Sequence, residues 1–230
     1  MQKKLFIVIM MLFFNCLWAQ NIPFEKPNYN LIKENIAQKD GKFFYPKLEK
    51  RLLELDTLLT KDDFRHLYYG YVFQKKYDAF WRSPVEKEIT VFYKQSKIDP
   101  ADHPKIIKLL NKSIAAFPFD LQSYNFLYFI EAQTGNNDES MKLAKISQGL
   151  FGAILSSGDG KTCETGFHVL LTSHEYALLN MFNLQSVEQS LVESCDFLKF
   201  EKGKYKVEGL FFDVTKIMEN RQSNTNKKIK

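Results

Sequence analysis

The chain has 230 residues and a formal charge of +5 from 32 basic and 27 acidic side chains. Lys3, Lys4, Arg221, Lys227, Lys228 and Lys230 lie near its two ends, which leaves 32 − 6 = 26 basic side chains against 27 acidic ones over the remainder. That balance excludes a basic surface of the kind that neutralises nucleic-acid phosphates, and no stretch beyond residue 19 approaches the roughly 18 apolar residues of a membrane-spanning helix.

The opening MQKKLFIVIMMLFFNCLWAQ sets Lys3 and Lys4 before an apolar run from Leu5 to Phe14, then Leu17-Trp18-Ala19 before Gln20. This is the pattern of a secretory signal peptide over residues 1–19, cleaved after Ala19, so a periplasmic or secreted protein without a membrane span is expected. Residues 20–220 are long enough for a single domain with a sizeable core, and the polar RQSNTNKKIK at 221–230 reads as a disordered basic tail. Cys163 and Cys195 lie in the part expected to be exported, where an oxidising compartment permits a disulfide; spacing alone leaves the pairing open.

The first elements are helical. NYNLIKENIAQ places Tyr29, Leu31, Ile32 and Ile36 near one face, and Pro46 opens a second amphipathic segment with Leu48, Leu52, Leu53 and Leu55 behind it. Thr60 followed by Asp63 is a capping box for DFRHLYYGYVFQKKY, whose Phe64, Leu67, Tyr68, Tyr71 and Val72 recur at helical spacing. Ser83-Pro84-Val85-Glu86 reads as the start of a fourth helix, with Ser83 as its cap. KLLNKSIAAFPFD and the stretch from Leu121 to Ile154 follow a tetratricopeptide-like register, with Gly135 at the turn and Ser140 and Ser147 at small-residue positions, although Tyr128 stands where glycine is usual. Residues 28–155 therefore read as degenerate helical hairpins.

The last third, 162–220, changes character. Thr162 is expected to cap a helix through CETGFHVLLTSHEYALLNMFNL, and Gly158 to end the preceding one in a left-handed conformation. Two β-rich runs, 195–200 and 204–214, are joined by Glu201-Lys202-Gly203 as a hairpin, and TKIMEN reads as a closing helix. The fold class is α+β, predominantly α-helical.

FFYPKL at 43–48, RHLYYGYVFQ at 65–74, SSGDG at 156–160, the following GFHV and HEY, and EGLFFDV at 208–214 occur in one order. Together with the signal peptide they resemble an exported family of Gram-negative bacteria, of Bacteroidetes type, known as domain of unknown function 4919. The resemblance implies an extracytoplasmic protein and brings no activity, cofactor or catalytic residue with it.

Gly160-Lys161-Thr162 raises the question of a phosphate-binding loop. That motif needs a glycine five residues before Gly160, and the position holds Leu155. His174-Glu175 begins a zincin signature whose second histidine position is Leu178, and His168 lies six residues earlier, roughly 120° off the same helix face. No nucleophile motif, metal ligand set or cofactor is therefore indicated.

Tyr69 lies off the apolar stripe of its helix and, with Gln74 and Arg82, is a candidate for a concave peptide-binding groove. Asp159, His168, His174 and Glu175 are candidates for a site beside the SSGDG loop. The reading favoured by these features is a non-enzymatic protein- or peptide-interaction domain of the cell envelope, with a protein or peptide partner. The alternative is a small extracytoplasmic enzyme or ligand binder near that loop.

Overall fold

The computed structural model of the protein describes residues 24–228. The expected signal peptide lies outside the described residues. Nine α-helices and four short strands follow the α+β, mainly helical pattern among the described residues. Helices α1 (Tyr29–Ala37), α2 (Tyr45–Leu53), α3 (Lys61–Gly70), α4 (Glu86–Tyr93), α5 (His103–Ala116), α6 (Leu121–Gln133) and α7 (Asn137–Leu155) come first. Strand β1 (Phe167–His168), helix α8 (Thr172–Met181), strands β2 (Ser186–Val192), β3 (Cys195–Phe200) and β4 (Gly209–Asp213), and helix α9 (Thr215–Lys228) complete the chain. One hydrophobic core runs from Ile32 to Ile217.

Helix α3 sits at the centre. Its first turn carries the expected capping box, in which side chain and backbone of Thr60 and Asp63 satisfy each other. The Asp63 N–H donates to Thr60 Oγ1 at 3.2 Å, and the Thr60 N–H donates to Asp63 Oδ2 at 2.9 Å. The helix packs against α1, α2 and α7. A helix enclosed on several sides has no single apolar face, and Phe64, Arg65, Leu67, Tyr68, Tyr69 and Gly70 are all buried.

The expected long helix through Tyr77 stops at Gly70 and continues as a single 3-10 turn, Tyr71–Phe73. At Gly70 a Cβ would approach Ile36 and Tyr45 at 3.2 and 3.3 Å, so a near-absent side chain lets α1 and α2 close over the end of α3. Ser83 does not cap α4 from within a helix. Its hydroxyl accepts from the Val85 N–H and meets Ser113 Oγ at 2.6 Å, which draws the 83–85 turn onto α5.

Helices α6 and α7 form an antiparallel hairpin turned at Gly135, whose φ is +81°. That is the left-handed conformation glycine adopts at least cost. The expected small residues sit at the crossing. Ser147 Oγ meets Asn125 Oδ1 at 2.6 Å and Ser140 Oγ donates to the Tyr128 carbonyl at 3.1 Å.

After α7 the chain departs from the sequence reading. Residues 162–166 form a turn in place of a helix, with Thr162 Oγ1 accepting from the Thr165 N–H. Phe167 and His168 then pair in parallel with Phe212 and Asp213 of β4. Gly158 does not take a left-handed conformation; Gly160 does, at φ +68°. What Gly158 permits is close approach, since a Cβ there would lie 2.3 Å from the Thr165 carbonyl oxygen.

The sheet order is β1-β4-β3-β2. Strands β3 and β4 pair antiparallel as expected, but residues 201–208 form a longer connection with Gly203 at φ +80°, so the run does not extend from 204. The tight hairpin is the one before it. Val192 faces Cys195 across Glu193-Ser194, with Glu193 at φ 56°.

Helix α9 runs on past TKIMEN through Lys228, beyond the end expected for the closing helix. No Gly or Pro interrupts it, and Asn220 anchors it by accepting from the Ala79 N–H and donating to the Tyr77 carbonyl. Cys163 and Cys195 are bridged, with Cα atoms 5.6 Å apart, which ties the 160–166 loop to β3. That separation is the usual one for a disulfide.

Candidate functional site

The segments that carry the family resemblance converge on α3. Arg65 donates to Ser156 Oγ and to the Glu25 carbonyl, and lies 5.5 Å from the Tyr69 ring centre. Tyr69 donates to the Ala153 carbonyl at 2.9 Å, Tyr45 to the Leu67 carbonyl at 3.3 Å, and Tyr68 meets His174 Nδ1 at 2.7 Å. Ser157 Oγ donates to the Ile154 carbonyl and accepts from the His168 N–H. These bonds satisfy polar groups inside a tightly packed interior, where an unpaired donor or acceptor is costly.

The SSGDG stretch is thus a structural junction. The N–H groups of Asp159 and Gly160 both donate to the Thr165 carbonyl, and the Phe211 N–H donates to the Gly160 carbonyl. Burial pushes the Asp159 carboxyl up. Hydrogen bonds from Thr165 and Lys161 outweigh it and hold the group below its usual range. Lys161 is occupied with Asp159 at 2.9 Å, and the backbone amides of Asp159 and Gly160 point at Thr165, which is no phosphate cradle.

The expected gathering beside this loop does not occur. Asp159 faces Lys161 and Thr165, whereas His168 lies near Tyr29 with its Nδ1 3.7 Å from Asp213. Burial lowers the His168 pKa, and Asp213 partly opposes this. His174 turns toward Tyr68, and Glu175 toward Asp196 on β3. Pairing of β1 with β4 fixes His168 to the sheet, and adjacent positions at the start of α8 point about 100° apart around the helix axis. The groove expected around Tyr69 is not there either, because that side chain is fully buried. Gln74 donates to the Gly70 carbonyl at 3.2 Å.

Among the described residues, five buried side-chain atoms lack a hydrogen-bond partner, and three belong to His174 (Nε2) and Glu175 (both carboxyl oxygens). This marks the start of α8 as the unusual place in the interior. Burial first, then the charge of Asp196, raises the Glu175 pKa to about 9, so the group is neutral at pH 7. A protonated Glu175 faces Asp196 as a donor, although the two carboxyls do not meet at hydrogen-bonding geometry.

His174, on the other side, lines a cavity of about 490 Å³ between α4, the α5–α6 turn and the start of α8. Phe80, Trp81, Tyr93 and Phe117 give it aromatic walls. Trp81 packs on Phe117 with ring centres 4.5 Å apart, and Phe117 stacks on the His174 ring at 6.0 Å. Polar side chains reach it from Ser83, Asp120, Ser123, Thr172 and Ser173, with Arg82, Glu86 and Lys94 also in the lining. Asp120 caps α6 and is saturated, accepting from the hydroxyls of Ser113 and Ser123 at 2.6 and 2.5 Å and from the Ser123 N–H. Burial lowers the His174 pKa to about 3, and the Phe119 carbonyl facing the ring opposes that without reaching hydrogen-bonding geometry at Nε2.

A second hollow, of about 520 Å³, lies between α3 and α7, bordered by Gly158 and Asp159 and walled by Phe24, Leu59, Phe64 and Leu155. No buried unpartnered group among the described residues belongs to it. Of the residues nominated from sequence, the first cavity unites Arg82 and His174. Trp81, Tyr93 and Asp120 are additions that only the packing of three separate segments reveals. Metal chemistry gains no positive support, since the described residues contain no cluster of three or more His, Cys, Asp or Glu side chains able to hold an ion.

Fold and site together define a predominantly helical α+β protein with an aromatic-walled cavity where its helical and sheet-bearing parts meet. A sequence profile for the family described as domain of unknown function (DUF4919) matches residues 30–223, and the chain belongs to that family. No curated protein and no solved structure matches it. No helix among the described residues is long and apolar enough to cross a membrane.

Proposed function

We propose that this chain is an exported, non-enzymatic binding protein of the cell envelope, and that its ligand, a peptide segment or a molecule of similar size, occupies the cavity at His174. The observation behind binding is the cavity itself: its volume suits a small ligand, and aromatic walls and a few polar groups converge in it. Export rests on the residues 1–19 pattern, and the Cys163–Cys195 bridge supports an oxidising compartment. The α6–α7 hairpin is compatible with a tetratricopeptide-like ancestry of the helical core. The different partners of Asp159, His168, His174 and Glu175 favour the binding reading over the alternative of an enzyme site at the SSGDG loop.

Native mass spectrometry of the protein recovered from an envelope fraction tests this reading. A bound mass is expected with the wild type and not with Thr90→Trp, which fills the cavity from α4. Recovery of the same mass with both proteins, or of no bound mass from the wild type, would refute it.

A further inference from the structure

We infer that the hollow between α3 and α7 binds a single-chain fatty acid, with its carboxylate at Lys61 and Lys145 and its alkyl chain along α7 toward Leu155 and Phe24. This site is separate from the cavity at His174, and the inference stands or falls independently of that cavity.

The floor of the hollow makes it long. Lys145, Gly149, Gly152 and Leu155 all line it, and their spacing puts them on one face of α7. From residue 145 to residue 155 the helix advances roughly 15 Å, at about 1.5 Å per residue. Gly152 leaves that floor bare. A Cβ there would meet nothing within 4 Å and its φ is not positive, so neither packing nor backbone conformation calls for glycine, and the open space beside it is the hollow. At Gly149 the bare backbone receives the Phe64 ring, which a Cβ would strike. With Phe24, Leu59 and Leu155 this ring gives the trough apolar walls, in a volume of about 520 Å³ that suits a small ligand.

Free positive charge is confined to one end. The Phe64 ring lies against Gly149, and Tyr69 donates to the Ala153 carbonyl, so α3 and α7 run in the same direction where they touch. Lys61, one turn before Phe64, therefore stands toward the Lys145 end. Both lysines are exposed, and neither ammonium group has a partner among the described residues. At the opposite end the polar groups are occupied. Asp159 is held by Lys161 at 2.9 Å and by the Thr165 hydroxyl at 2.6 Å, and Ser156 Oγ accepts from Arg65 and donates to the Ala153 carbonyl. Two unpaired cations at one end of an apolar trough match an anionic head on an apolar chain, which buries the chain and leaves the charge at the wet rim. The head that fits is a carboxylate and not a phosphate. No arginine fork lines the hollow among the described residues, and the amides of Asp159 and Gly160 are turned to Thr165.

Calorimetric titration at pH 7.5 of the chain from Gln20 onward, without the expected signal peptide, tests this. The probes are octanoate, decanoate and dodecanoate below their micelle concentrations, with decyltrimethylammonium and decyl phosphate for comparison. Each added pair of methylenes should tighten binding of the acid roughly tenfold while the chain stays inside the hollow. Decyltrimethylammonium should bind at least about tenfold more weakly than decanoate, and Lys61→Gln with Lys145→Gln should weaken decanoate about fivefold or more. Gly152→Leu, which sets a side chain in the trough, should abolish decanoate binding, whereas Thr90→Trp in the other cavity should leave it unchanged. Decanoate binding that survives Gly152→Leu and is lost in Thr90→Trp assigns the acid to the His174 cavity and overturns the inference. So does an ammonium amphiphile that binds as tightly as the acid, a phosphate that binds more tightly, or absence of binding by all three acids. Should a variant fail to fold, the five wild-type affinities and nuclear Overhauser contacts between decanoate methylenes and the Phe64 ring decide the matter.

Discussion

Glu175→Gln should make the protein more stable at neutral pH, the reverse of what loss of a buried charged residue usually does. Glu175 is fully buried, its carboxyl oxygens are unpartnered, and its pKa is raised from 4.5 to about 9 by burial and then by Asp196. A carboxyl raised in the folded state contributes stability that is complete below the unfolded pKa and is lost as pH rises through the folded one. At pH 7 the folded protein must hold a proton the unfolded chain has released, which costs at most about 3.4 kcal/mol, from about 1.36 kcal/mol per pH unit over about 2.5 units. Glutamine keeps the shape without that cost and can donate to Asp196, so a net gain of about 1–3 kcal/mol is expected after allowing for imperfect amide pairing.

Urea unfolding at pH 7.0 and 8.5 is the assay. The lowered pKa values of His66, His168 and His174 act below about pH 6.5, where falling pH removes their contribution, so they leave this window flat. Wild type should lose up to about 2 kcal/mol between the two pH values and Glu175→Gln almost nothing. Parallel behaviour of the two proteins would show that Glu175 is ionised in the folded state and that the burial argument fails.

Other consequences are open to direct measurement. The oxidised protein without residues 1–19, which hold Cys16, should show no thiol reactive to Ellman's reagent. Cys163→Ser with Cys195→Ser should cost about 3–4 kcal/mol by loop entropy at a sequence separation of 32, seen in the urea midpoint. At Gly158 a new Cβ would meet backbone carbonyl oxygens at 2.3 and 2.5 Å that cannot yield separately. Gly158→Ala should therefore lower the urea midpoint through an overpacking cost of about 1–3 kcal/mol. Gly152→Ala, with nothing within 4 Å of its Cβ, should instead raise the melting temperature through a gain of about 0.5–1 kcal/mol. Arg65→Met removes charged donors from Ser156 and the Glu25 carbonyl. Its expected cost is about 1.5–3 kcal/mol, and a variant as stable as wild type would contradict the role assigned to that junction.

How far the site was legible depends on the kind of signal involved. His174 stands out in the sequence only through its neighbour Glu175 and a metal motif that the chain does not complete, which says nothing of the cavity it lines. Its partner Tyr68 lies 106 positions away, and no local pattern links them. Tyr69 was misplaced because periodicity assumes one buried face, whereas α3 is covered by α1, α2 and α7. Strand β2 was missed because SVEQSLV sits on the sheet edge with six of its seven residues exposed, so it has no alternation to read.

By itself the sequence determined the features that arise within a few residues: the Thr60–Asp63 capping box, the amphipathic helices, the Gly135 turn and the period-two runs that became β3 and β4. These depend on propensity and on local hydrogen bonds, which neighbours in the chain supply. The tertiary structure alone decided that GFH would be a strand, that α3 would end at Gly70, that the two cysteines would meet, and that Trp81, Asp120 and His174 would enclose one cavity. Each of those outcomes depends on burial and pairing between segments far apart in the chain, whose free energy appears only when the whole core closes.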